Sequence, residues 1–136
     1  MEPLENLLIE AIAEPEVFEF VPSERLKKAL KGRVFKIRAM TNTEYRAFTK
    51  AAYVSKNGKR EFDNIKFTEA VVLDCTIEPN FRKVEAIENA GCVTPDQFLH
   101  KVLLPGEIDK LANEIARHSG FGVQDVEEAY EDTKKP

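Results

Sequence analysis

Side chains able to do acid–base or nucleophilic chemistry are few in this 136-residue chain: two histidines, His100 and His118, and two cysteines, Cys75 and Cys92. Both histidines read onto helical faces among ordinary residues. Ser119 directly follows His118, and adjacency in sequence does not place a base against a nucleophile. The cysteines lie far apart without metal-ligand spacing and read as two reduced thiols, with a disulfide between them as the alternative. Asp125, Glu127 and Glu128 sit in a polar segment that offers no apolar surroundings to perturb a carboxylate. Gly120-Phe121-Gly122 follows a helix, whereas a phosphate cradle precedes one. No catalytic, cofactor or metal site is expected, and an enzyme is the least supported class.

One basic cluster stands out, formed by Arg25, Lys27, Lys28, Lys31 and Arg33 and extended by Lys36 and Arg38. It reads as a solvated helix face, a contact for an acidic protein, or a nucleic-acid footprint. The net charge of -4 argues against nucleic acid as the main partner. No apolar run approaches the roughly 20 residues that cross a bilayer. Glu2, Glu5 and Glu10 stand where a secretion signal carries basic residues, so none is expected.

The elements that must position any site are clearest from Val93 to Gly122. Thr94-Pro95-Asp96-Gln97 opens a helix with a hydroxyl N-cap, proline at N1 and an amide at N3. Phe98, Leu99, Val102 and Leu103 form its apolar face. Pro105 stops that helix near Leu103 and can start a second, with Glu107 near the positive end of its dipole. Gly106 lies between them in the same break. Ile108, Leu111, Ala112, Ile115 and Ala116 then form one buried stripe. Gly120 reads as the left-handed residue that closes the helix, with Phe121 packing back on Ala116 or Ile115.

Upstream, Leu4, Leu7, Leu8 and Ile12 have helical spacing before Pro15, in a segment that either closes the core or docks on a partner. Glu16–Val21 and Arg33–Met40 read as strands that can pair, with a short helix from Ser23 to Leu30 between them, Leu26, Ala29 and Leu30 inward. Thr41-Asn42-Thr43-Glu44 is a capping box for a helix that carries Tyr45, Phe48, Ala52 and Tyr53. Ser55–Arg60 is a polar turn, Asp63 caps the next helix, and Phe81–Ala90 is a short helix closed by Gly91. The expected fold is mainly α (α+β): one compact helical domain over 1–122 with a small two-stranded β-ribbon near the N-terminus. An acidic tail over 123–136 follows, with a short Val123/Val126/Tyr130 face and disorder beyond.

Five blocks together resemble the XkdN-like family of tail assembly chaperones from long-tailed phages and prophages. They are FKIRAMTNTEY (35–45), EPNF (78–81), Thr94-Pro95, LLPGEI (103–108) and Ser119-Gly120-Phe121. The resemblance implies a non-enzymatic protein that binds the tape-measure protein and keeps it soluble while tail tube protein assembles around it. It also implies self-association in multiple copies, action in the host cytoplasm, and absence from the mature virion. A longer, frameshifted form would extend from Thr133–Pro136. The apolar seam of a tape-measure helix needs a hydrophobic groove, which a helix pair supplies between its members. The expected surface lies near 95–103 and 105–119, with Phe98, Val102 and Phe121 at its rim. Pro105, Gly106, Glu107 and Gly120 are its structural motif. A connector or minor tail protein and a nucleic-acid-binding regulatory module are the alternatives.

Overall fold

In the computed structural model, residues 2–12 and 14–121 are described. The acidic tail expected over 123–136, with its short helix and disorder, lies outside them.

The centre of the molecule is helix α4 (Asn64–Cys75), capped by Asp63, whose side chain accepts from the Lys66 amide. Val71, Val72, Leu73 and Cys75 are all buried, so its C-terminal half is covered on most sides. A stretch as apolar as Ala70–Leu73 must sit inside the fold, whereas the first turn, Asn64–Lys66, is exposed. It packs along α7 (Pro105–Ala116), which contributes Ile108, Leu111, Ala112 and Ile115 from one stripe. Helix α6 (Pro95–Val102) adds Leu99, and Leu103 follows at its end; α3 (Asn42–Ala51) adds Phe48.

The sheet closes the other side. Strand β1 (Val17–Phe20) pairs antiparallel with β2 (Phe35–Arg38), placing Val17 opposite Arg38 and Phe20 opposite Phe35. Strand β2 alternates as its sequence dictates: Phe35 and Ile37 are buried, whereas Lys36 and Arg38 are half-buried. The expected ribbon is present, and β5 (Thr76–Glu78) extends it to three strands on the other edge of β2. Helix α2 (Glu24–Leu30) joins β1 to β2, capped by Ser23, with Leu26 buried and Leu30 half-buried. Ala29, expected inward, is exposed.

A second departure is the hairpin of β3 (Tyr53–Lys56) and β4 (Lys59–Phe62). Asn57 and Gly58 both have positive φ, 52° and 79°, the geometry of the two-residue turn that matches strand twist. Tyr53, read as the end of a helix, is therefore the first residue of a strand. The short helix expected over Phe81–Ala90 is confined to α5 (Val84–Asn89), ahead of Gly91 at φ 74°.

The described side chains of helix α1 (Pro3–Ile12) do not close the core; that of Ile12, part of the expected stripe, lies outside them. Leu4, Leu7 and Leu8 are 70%, 63% and 65% exposed, leaving the docking reading of this segment. No described helix is long and apolar enough to cross a membrane.

Candidate functional site

The break between α6 and α7 is built by a short run of residues. Thr94 accepts the Gln97 amide at the start of α6, and Pro95 occupies the first turn. Pro105 begins α7, and Glu107 folds back so that its Oε1 accepts the Leu104 amide at 2.7 Å. This carboxylate does more than cap. Arg25 on α2 donates Nε to Oε2 at 3.0 Å and Nη2 to Oε1 at 2.5 Å, and Ser23 Oγ donates to Oε2 at 2.5 Å. Arg25 Nη2 also reaches the Val102 carbonyl at 3.0 Å. Glu107 is 4% exposed, yet the guanidinium beside it, with help from the Leu104 amide and the Ser23 hydroxyl, lowers its carboxyl to a pKa of about 2. One buried acid thus ties α2 to the break from 82 residues away.

A parallel clamp holds the sheet to α3. Arg38 makes two 2.8 Å bonds to the Glu44 carboxylate and also donates to the carbonyls of Ala39 and Asp74. The paired arginine is the chief reason the Glu44 carboxyl is held below its ordinary range. Ser119 accepts from the Met40 amide at 2.9 Å and donates to the Ile115 carbonyl at 2.6 Å, a structural use of the one serine that stands beside a histidine. Of the basic cluster, Arg25 and Arg38 are committed to these clamps, and Lys36 lies 3.7 Å from Glu78.

The remaining chemistry-bearing groups are dispersed. His100 pairs with Glu69, while His118 stacks on Phe18, with ring centroids 3.5 Å apart, and lies 3.2 Å from Glu114. Cys75 and Cys92 are free thiols, and burial pushes Cys75 up to about 12, which keeps it protonated. Among the described residues, no three His, Cys, Asp or Glu side chains are grouped to hold a metal.

What the break creates is a groove. Residues of α4, α6 and α7 line it together. The depression, about 430 Å³, takes its apolar lining from Ile65, Leu103, Pro105 and Ile108. Its rim is polar, with Asn64, Thr68, Asp109 and the Glu69–His100 pair. Ile65, at 72% exposed, is the most accessible large apolar side chain of that lining.

The three expected rim residues lie elsewhere around the helix pair. Phe98 is half-buried and packs against Phe81 at 5.9 Å, and Val102 is half-buried against the core. Phe121 is 42% exposed and leans on Tyr45 of α3, with ring centroids 5.3 Å apart. Gly120 has φ 98°, and Arg117–Phe121 forms a wide π-type turn, which swings Phe121 toward α3. Ile65 went unremarked because the sequence marks α4 only by its Asp63 cap. The Arg25–Glu107 contact was missed because nothing local links residues 82 apart.

The described residues thus form an α+β core held by two arginine–carboxylate clamps, with an apolar depression beside the α6–α7 break. The chain belongs to the family of phage XkdN-like tail assembly chaperone proteins, which it matches over residues 4–134. It is accordingly a non-enzymatic protein of tail assembly. The fold is similar to the crystal structure of the protein yqbn, with a TM-score of 0.62 and 22% identity over 80% of this chain and 88% of that one. No curated protein matches significantly.

Proposed function

We propose that this chaperone binds apolar helical stretches of the tape-measure protein in the groove between α4 and the α6–α7 break. It holds them soluble in the host cytoplasm while tail tube protein polymerises, and leaves before the virion is complete. The family match over residues 4–134 carries the reading. The groove supplies its physical means: an apolar lining takes the seam of an amphipathic helix, and a polar rim solvates its edges. Each aliphatic side chain fully buried contributes about 1.5–3 kcal/mol, which ordering and association costs largely offset. Single-copy binding is therefore weak and reversible, and a long client is held by many copies along its length. The commitment of Arg25 and Arg38 to Glu107 and Glu44 disfavours the nucleic-acid reading of the basic cluster.

Co-expression tests the proposal. The tape-measure protein is expected to stay soluble and copurify with the wild-type chain, and to be lost with Ile65→Glu, a change at an exposed position that spares the fold. A tape-measure protein equally soluble without this chain overturns the chaperone reading. Copurification that survives Ile65→Glu moves the site away from this groove.

A further inference from the structure

A second surface, on the far side of α3 and outside the client groove, carries its own logic. Five aromatic rings run in a connected series: Tyr53 to Phe62 at 5.3 Å, Phe62 to Phe67 at 5.7 Å, Phe67 to Tyr45 at 5.9 Å, and Tyr45 to Phe121 at 5.3 Å. All but Phe67 are exposed. Tyr45 and Tyr53 line a depression of about 460 Å³ together with Thr49 and three cations, Arg46, Lys50 and Arg60. Arg60 lies over the Tyr53 ring at 5.7 Å. The lining holds no carboxylate: Glu44 is engaged by Arg38, and Glu61 lines a different depression beside Lys56 and Val54. Among the described residues, none of the three cations makes an ion pair.

Helix α1 is the complement of this surface. Leu4, Leu7 and Leu8 form a stripe at helical spacing, and Ile9 beside it is also exposed. The acids Glu2, Glu5, Glu10 and Glu14 flank it, and no lysine or arginine precedes Arg25. A ten-residue helix is marginal alone in water, so its helical state needs a surface to rest on. Its own body does not provide one in this structure, because the described α1 side chains are all exposed.

We propose that α1 of one copy docks in the Tyr45–Tyr53 groove of a second copy, leucines on the aromatic rings and glutamates toward Arg46, Lys50 and Arg60. Every copy carries one donor helix and one acceptor groove, so two copies can exchange helices or further copies can add in series. A single helix-in-groove contact is smaller than the roughly 800 Å² per partner of a stable interface, so association is concentration-dependent. Opposed charges make it sensitive to salt as well. The surface is separate from the client groove, and either proposal can fail without the other.

The test is sedimentation velocity of the full chain over a wide concentration range, with two charge-reversed variants. Glu5→Lys/Glu10→Lys alters exposed positions on α1, and Arg46→Glu/Lys50→Glu alters exposed positions on α3. The wild type is expected to exceed its 15.4 kDa monomer mass as concentration rises. Each variant alone is expected to associate about tenfold more weakly or less. Mixing the two, which restores opposite charges at both contacts of a mixed pair, one in the original and one in the reversed polarity, is expected to recover association. A wild type that stays monomeric, as it would if α1 docked on its own groove, overturns the proposal. So does an α1 variant that associates like the wild type, as it would if another acidic segment filled the groove. A mixture that fails to recover overturns it too.

Discussion

Glu107 is the residue whose chemistry reaches furthest. Its carboxyl keeps its charge down to about pH 2 when folded, against about 4.5 for an unperturbed glutamate. A depressed folded pKa means stability that is fully present above about pH 4.5 and lost as pH falls toward 2. Glu107→Gln is expected to lower stability at pH 7 by about 2 kcal/mol, since Arg25, Ser23 and the Leu104 amide lose a charged acceptor. The difference between variant and parent is expected to shrink below pH 4; urea melts at pH 7 and pH 3 check both. Gly120→Val is expected to cost on the order of 1 kcal/mol or more. A Cβ there meets nothing within 4 Å, so the cost comes from φ 98° and not from a clash. An unchanged melting midpoint would contradict the left-handed assignment.

Among the elements, the helices were legible because their ends are chemically marked. The Thr41–Glu44 capping box, Asp63, Thr94-Pro95 and Pro105 each place a boundary that the structure repeats. The hairpin was less legible because its strands bury no face: of Tyr53–Lys56 and Lys59–Phe62, only Val54 is half-buried, leaving Asn57-Gly58 as its signal. Strand β5 has three residues and follows α4 directly, too short for any period to show. The client groove was legible only as a neighbourhood, since Pro105 predicts the break but not that α4 brings Ile65 to it. The helices are also unequal in protection. Hydrogen exchange in dilute protein is expected to show α4 amides opening only with global unfolding and α1 amides exchanging nearly freely. Slow exchange in α1 at low concentration would place it on its own body.

For the whole molecule, the core that α4 organises is reported by one thiol. Cys75 is fully buried and Cys92 half-buried. Alkylation of Cys75 is expected only at the pace of global unfolding and of Cys92 faster, with mass spectrometry separating the two sites. Equal rates would mean that the C-terminal end of α4 opens locally. The ladder of rings across α3 and the hairpin has an optical consequence. The chain has no tryptophan, so ultraviolet emission comes from its three tyrosines, and Tyr45 and Tyr53 share the cationic groove. With no indole to drain their excitation, their fluorescence is a native gauge of whatever settles there, readable without a label.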